Sequence, residues 1–364
     1  MNQGPSAAMN QDESSEVLSQ LVAVAREARV DPLVLRLMEI RTWLRDDLAD
    51  LEKSCLELLK DDAPLGPESP DGDSPARGAA RHLLSMPGKW IRPICLLMAA
   101  RIGDRQMDQQ VRDLALTCEL VHGATLLHDD VLDEGEVRRG RETSRMAYSN
   151  SASVLGGDHV LILALQMAHR SCPPHVFSAL LTTIDTMVNA EAHQLVHKGT
   201  FDPSREVYQT VILGKTAVLF RWALMAGGHL AGLDSDQETA LAEAGSELGM
   251  AFQLVDDILD LIGETNATGK SLHTDLEEGK MTWPLILAAE ATPKAIPLIK
   301  AVAEGEAKPE ELVQLLRELG TIEATRDEAR KHSKRAIDLL NQLPEGRAVD
   351  ALKGIVNSAI ERSL

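Results

Sequence analysis

Aromatic residues make up 3% of this 364-residue chain, with Phe 4, Tyr 2 and Trp 4. Sheets draw on aromatic and β-branched side chains, so the scarcity argues against an all-β core. It favours helices built on Leu, Ala, Val, Ile and Met. Positive charge is short as well: 37 Lys and Arg stand against 56 Asp and Glu, a formal charge of −19. A protein that grips a phosphate backbone needs a basic face, so nucleic acid is excluded as a partner. Cysteine is sparse, and Cys55, Cys95, Cys118 and Cys172 have no CxxC spacing, which argues against a secreted disulfide framework. No uninterrupted apolar run reaches the roughly 18 residues of a membrane span. The best stretch, 217–233, is broken by Arg221 and His229. The polar, acidic start has no signal-peptide pattern. These absences lead us to expect a soluble, cytoplasmic protein.

Hydrophobic residues reach 44%, enough for a sizeable core. Residues 1–30 read as a flexible N-terminal extension, most polar over its first half. Asp31-Pro32 has the form of a helix N-cap followed by proline, and helical periodicity runs from there to Leu59. Residues 61–78 carry four prolines and three glycines and read as an exposed loop. A helix from Ala79 to Ser85 is expected to follow. The remainder, to residue 364, has helical periodicity with breaks at Pro293, Pro309 and Pro344. The expected fold is all-α: residues 31–364 as one large helical bundle.

The chemistry concentrates in LVHGATLLHDDVLDEGEVRRGRET, residues 120–143. Asp129 and Asp133 are four apart and share a helix face with His122, two turns earlier. Asp130 lies between them. Carboxylates on an apolar wall are costly unless a cation neutralises them, and Mg²⁺ is a natural candidate because it bridges carboxylates to phosphates. Arg138 and Arg139, followed by Gly140, form a dibasic pair able to grip a diphosphate. Asp256, Asp257 and Asp260 repeat the pattern in GMAFQLVDDILDLIGE, again within apolar sequence. A third copy, Asp46, Asp47 and Asp50, lies among charged neighbours and reads as a solvated helix face.

These stretches resemble the trans-type polyprenyl diphosphate synthases, most like long-chain or geranylgeranyl-type members. That family carries two aspartate-rich motifs, the first followed by Arg-Arg-Gly. It also carries a GKxxRP motif (here Gly88-Lys89-Trp90-Ile91-Arg92-Pro93), a Lys-Thr (Lys215-Thr216) and a Phe-Gln (Phe252-Gln253). Order and spacing match over residues 80–290. Pro87, Trp90 and His273 depart from the family's usual Gly, Arg and Gly.

The resemblance implies a prenyltransferase that condenses isopentenyl diphosphate with an allylic diphosphate, 1′ to 4. It implies catalytic roles for Asp129, Asp130, Asp133, Asp256, Asp257 and Asp260, with metal at Asp129, Asp133 and Asp256 and three Mg²⁺ ions. Lys89, Arg92, His122 and Arg139 would hold isopentenyl diphosphate. Arg138, Lys215, Thr216, Gln253, Lys270 and Lys280 would hold the allylic diphosphate. Glu191 and Gln194 fall in a cavity-facing stretch, and the segment 263–280 is expected to close over the site. His128 is expected to orient a carboxylate or pack on a neighbouring helix. A homodimer is implied, and a peripheral membrane contact at product release is a further expectation.

Ala124 and Thr125 stand where short-chain members carry aromatics, with Val121 and Cys118 deeper. The product is therefore expected to exceed C15, with C30–C50 favoured over C20. Two alternatives are a terpene cyclase of the same fold, against which the second DDxxD argues, and a non-catalytic partner subunit. Such subunits usually lose an aspartate motif, and this chain keeps both.

Overall fold

The structure, a computed structural model, describes residues 32–58, 74–262 and 273–362. The N-terminal extension, most of the proline-rich segment and Lys270 lie outside the described residues. Helices α1 (Pro32–Trp43) and α2 (Arg45–Leu58) come first. Helix α3 (Pro75–Leu84) starts earlier than its sequence suggests, inside the proline-rich segment. Proline suits the first turn of a helix, where its missing N–H has no partner to lose. Helix α4 (Ile91–Ala100), a 3₁₀ turn (Arg101–Gly103) and the long α5 (Gln109–Leu132) follow. Asp108 caps α5 by accepting a hydrogen bond from Val111 N at 2.9 Å.

Among the described residues the all-α expectation holds except at one place. Strands β1 (Val137–Arg138) and β2 (Arg141–Glu142) pair antiparallel across a two-residue turn. Arg139 and Gly140 both have positive φ, 53° and 74°. A tight hairpin turn of that twist requires positive φ at both central residues. The Arg-Arg-Gly run is therefore a hairpin tip that aims two guanidinium groups.

The chain continues through α6 (Ser144–Ala147), α7 (Asn150–Ser171), α8 (Pro174–His197) and α9 (Arg205–Ile212). A π turn (Leu213–Ala217) leads into α10 (Val218–Leu230), and α11 (Ser235–Ile262) returns. The last helices are α12 (Thr274–Glu277), α13 (Trp283–Ala291), α14 (Ala295–Ala303), α15 (Pro309–Glu318), α16 (Thr321–Leu340) and α17 (Arg347–Glu361).

Helices α5 and α7 lie antiparallel. Ser153 Oγ donates to Leu127 O at 2.8 Å near one end, and Gln110 Nε2 donates to Ser171 O at 2.7 Å near the other. Helix α10 runs antiparallel to α8, since Trp222 Nε1 donates to Val176 O at 3.1 Å while Lys215 meets Glu191 at the opposite end. The bundle thus has an aspartate end, with Asp129 and Asp256, and a far end with the start of α8, the finish of α10 and the start of α11. The main core is Leu, Ala, Ile, Val and Met from most of these helices. A second core joins the end of α11 to α13–α16 through Ile258, Leu285, Ile299 and Leu312.

Among the described residues two segments, 150–171 and 205–230, are long and apolar enough to cross a membrane, although no uninterrupted run suggested it. Half of the first window and 72% of the second are buried within the bundle, so this apolarity is largely spent on packing. The third DDxxD also differs from a solvated face. Asp46 is exposed, but Asp47 pairs with Arg101, and Asp50 accepts from Arg112 Nε at 2.6 Å. Those ion pairs fasten α2 to the 3₁₀ turn after α4 and to the start of α5.

Candidate active site

The last turn of α5 presents Asp129, and Asp133 forms its C-cap. Lys215 Nζ lies 3.4 Å from Asp129 Oδ2 and 2.6 Å from Glu191 Oε2. Burial pushes the Asp129 carboxyl up, with Lys215 opposing it. Burial acts on Asp133 too, but Lys280 (3.2 Å) and Lys198 (3.1 Å) outweigh it and hold that carboxyl down. Asp130 faces elsewhere and is fully enclosed. Its Oδ1 accepts from Arg138 Nε and pairs with the terminal guanidinium nitrogen, both at 2.8 Å, while Oδ2 has no partner. Asp130 thus fixes the arginine on the hairpin.

The Lys215-Thr216 pair sits in the π turn, where the helix widens by one residue. Gly214 permits this. A Cβ there would stand 2.4 Å from Ala190 Cβ on α8. Thr216 Oγ1 donates to Gln253 Oε1 at 3.0 Å, and Gln253 Nε2 donates to Asp257 Oδ1 at 3.1 Å. Asp257 is buried and also accepts from Tyr208 Oη (2.6 Å) and Trp283 N (3.2 Å). Desolvation, with Asp275 nearby, pushes Asp257 up to about 7 against the pull of these hydrogen bonds. Asp256, on the next face, pairs with Arg362 at 2.9 Å. Asp260 accepts from the backbone N–H of Thr274 (3.1 Å) and Asp275 (3.3 Å), anchoring the start of α12.

A cavity of about 800 Å³, open to solvent, lies between α8, the π turn, α11 and the 279–282 segment. Lys198, Lys215, Thr216, Gln253, Asp257 and Lys280 line it. Lys280 reaches Asp133 and also pairs with Glu278, so it links the far side of the cavity to α5.

A second basic cluster lies behind α5. Arg92 packs 4.7 Å from the Phe220 ring centroid, and its Nε has no hydrogen-bond partner. Burial lowers Arg92, and Glu119 opposes that. Arg139 NH1 donates to Pro87 O at 2.9 Å, tying the hairpin to the loop that carries Lys89. Trp90 begins α4 with a φ of +53°. Burial and then the neighbouring Arg92, Arg139 and Arg138 drive the His122 imidazole well below its usual range, so it is neutral at pH 7. Lys89 is exposed at the rim.

The two groups read from the sequence are therefore distinct: Arg92, His122 and Arg139 on one side, and Lys215, Thr216, Gln253 and Lys280 on the other. Arg138 is held by Asp130 and adds its charge to the His122 side. His128 packs on α7, 3.2 Å from Val154 O, where a Cβ on Gly157 would strike its ring. His273 adopts φ +66°, the region that a glycine enters freely, so it carries backbone strain where the family has Gly.

Sequence reasoning missed Glu119, Lys198, Tyr208, Glu278 and Arg362. Glu119 carried a readable signal, a lone charge in the apolar run before His122. Lys198 and Glu278 sit in polar sequence with no pattern, and Arg362 comes from the far end of the chain. The expected tunnel residues also separate. Thr125 is partly exposed on the Asp129 side, whereas Ala124 is 2% exposed in the core.

The donor set suits a hard divalent cation. It is carboxylate oxygen throughout, and Asp129, Asp133 and Asp256 each already attract a Lys or Arg.

The model of the polyprenyl synthetase family matches residues 74–319. The octaprenyl diphosphate synthase of Escherichia coli is 34% identical over 332 residues, covering 90% of this chain and 99% of that protein. The crystal structure of a decaprenyl diphosphate synthase from Rhodobacter capsulatus superposes with a TM-score of 0.80 at 32% identity, over 90% of this chain and 99% of that one. A polyprenyl synthase from Caulobacter crescentus, complexed with calcium and isoprenyl diphosphate, gives a TM-score of 0.80 at 29% identity, over 90% and 98%.

Proposed function

The chain belongs to the polyprenyl synthetase family, and we propose that it joins isopentenyl diphosphate to an allylic diphosphate, 1′ to 4, to make a polyprenyl diphosphate longer than C15. It is a polyprenyl diphosphate synthase, a transferase of prenyl groups. The similar proteins with octaprenyl and decaprenyl products support the range C30–C50. The observation that carries the reading is that Lys215 and Lys280, which line one cavity together with Asp257 of α11, also reach Asp129 and Asp133 of α5.

Asp129, Asp133 and Asp256 would hold divalent metal, for which we propose Mg²⁺, three ions as the resemblance implies. When bound, the metal supplies positive charge against the leaving diphosphate. Lys215, Lys280 and Arg138 donate hydrogen bonds to the allylic diphosphate, aided by Thr216 and by Lys270, which lies outside the described residues. Gln253 orients Thr216, and Asp257 orients Gln253. Lys89, Arg92 and Arg139 bind the diphosphate of isopentenyl diphosphate, and neutral His122 donates a hydrogen bond to it. The allylic C1′–O bond breaks, C1′ bonds to C4 of isopentenyl diphosphate, and a proton leaves C2 to the departing diphosphate. The apolar wall of α5 keeps water from the cation.

The outward faces of α7 and α8 carry exposed Leu155, Ile162, Leu181, Val188 and Val196. We propose that a second copy of the chain covers them, and that the dimer is cytoplasmic and touches a membrane only to release product. Incorporation of isopentenyl diphosphate by the purified protein, given Mg²⁺ and an allylic primer, tests the activity. Failure to extend any primer would refute it. Sedimentation of the same sample as a monomer would refute the dimer.

A further inference from the structure

His175, His229 and Glu238 bring ligand atoms within 4.8 Å of one another at the far end of the bundle. His175 lies in the first turn of α8, His229 in the last turn of α10 and Glu238 in the first turn of α11. The imidazole rings of His175 and His229 meet edge to face at 4.9 Å, and His229 Nδ1 is 3.2 Å from Glu238 Oε1. Glu238 is about 27 Å along α11 from Asp256, at about 1.5 Å of rise per residue. The cluster is therefore separate from the aspartate end.

We propose that His175, His229 and Glu238 form a Zn²⁺ site that staples α8, α10 and α11 together, with water completing the coordination. Two imidazoles and one carboxylate make a nitrogen-rich, borderline set that favours zinc over magnesium. Tetrahedral zinc with bonds of about 2.0–2.1 Å holds its ligands roughly 3.4 Å apart. His229 and Glu238 already stand at that spacing. His175 is exposed, so its side chain is free to rotate inward to complete the set. The α10–α11 connection fixes the other two: Gly232, at φ +71°, donates its N–H to His229 O at 3.0 Å, and Leu233 N donates to Gly228 O at 3.2 Å. One rigid turn thus presents His229 and Glu238, and α8 supplies the third ligand.

The test is a Zn²⁺ titration of chelator-stripped protein by calorimetry in excess Mg²⁺, which keeps the all-carboxylate site occupied. One equivalent of Zn²⁺ should bind and raise Tm, and Co²⁺ in its place should give the intense visible bands of a four- or five-coordinate site. Removing a ligand costs at least as much as removing its supporting partner, so His175→Ala should weaken Zn²⁺ binding by about a hundredfold or more. His175 is exposed and away from the substrates, so Mg²⁺-dependent turnover of this variant should match the parent and report that it folds. His229→Gln should repeat the loss. No Zn²⁺ uptake in excess Mg²⁺, or uptake that His175→Ala and His229→Gln leave unchanged, would overturn the proposal.

Discussion

Thr125→Phe should shorten the product. Thr125 precedes Asp129 by about one helical turn, which sets it roughly 6 Å deeper along α5. It shares the Asp129 face, is partly exposed, and turns its hydroxyl back to His122 O at 2.8 Å. One turn of helix, about 5.4 Å, is comparable to one isoprene unit. A phenyl ring at that depth closes the tunnel just below the metals, so the variant should stop short of C30–C50, near C15–C20. Overpacking costs about 1–3 kcal/mol, against a stability of about 5–15 kcal/mol, so the Thr125 variant should fold. Ala124→Phe is the comparison. Ala124 is turned roughly 140° from Asp129, at about 100° per residue, onto the His128 row that packs against α7. It should lower Tm more and chain length less. Chromatography of dephosphorylated products, alongside Tm and primer turnover, makes the measurement. A folded, active Thr125→Phe enzyme with the parental product distribution would refute the reasoning and put the floor on another helix.

Asp129→Ala or Asp256→Ala should cut turnover by several orders of magnitude with the fold intact, whereas Asp46→Ala should leave both activity and stability within about 0.5 kcal/mol; steady-state rates and melting curves distinguish them. Lys89→Ala and Arg92→Ala should raise KM for isopentenyl diphosphate, and Arg138→Ala and Lys280→Ala should raise it for the allylic partner. A charge-assisted hydrogen bond of about 1.5–3 kcal/mol corresponds to roughly 10- to 150-fold, and identical profiles from the two groups would contradict the division. His122 supplies a pH signature. Its folded-state pKa lies well below the usual value, so below about pH 6.5 the unfolded chain takes up a proton that the folded chain does not, and stability falls by about 1.4 kcal/mol per pH unit. His122→Gln should flatten that slope between pH 6.5 and 5.5 in denaturant titrations, and an unchanged slope would assign it to other groups.

The aspartate stretches were legible because a charge inside an apolar helical run is expensive, and the chain tolerates that cost only where a partner is provided. Glu119 carried the same signal. The decoy at Asp46, Asp47 and Asp50 lacked it, yet Asp47 and Asp50 proved to be structural, because Arg101 and Arg112 are far away in sequence. The Arg-Arg-Gly hairpin was hidden by its brevity, since two-residue strands have no periodicity to read. The start of α3 was hidden by composition: prolines and glycines that punctuate loops also suit the first turn of a helix. Arg362 was beyond reach because nothing local to residues 347–361 says which motif the end of α17 will meet.

A chain of charge −19 repels the anions it is proposed to bind, so the site has to reverse the field locally. It does this incompletely. Around the cavity mouth Asp129, Asp133, Glu191, Asp275 and Glu278 face Lys198, Lys215 and Lys280, and carboxylates outnumber ammonium groups. The three lysines hold Asp133 down, but Asp129 remains raised despite Lys215. A surplus of buried negative charge is unfavourable by itself, and the same surplus is what a divalent cation relieves. A metal on Asp129 and Asp133 would relieve Lys215 and Lys280 of one carboxylate partner each, leaving Glu191 and Glu278, and would free N–H capacity for an anion. The lysines that neutralise the aspartates in the free protein are therefore the groups best placed to hold the diphosphate when metal arrives, which is how an acidic protein can select a substrate of its own sign.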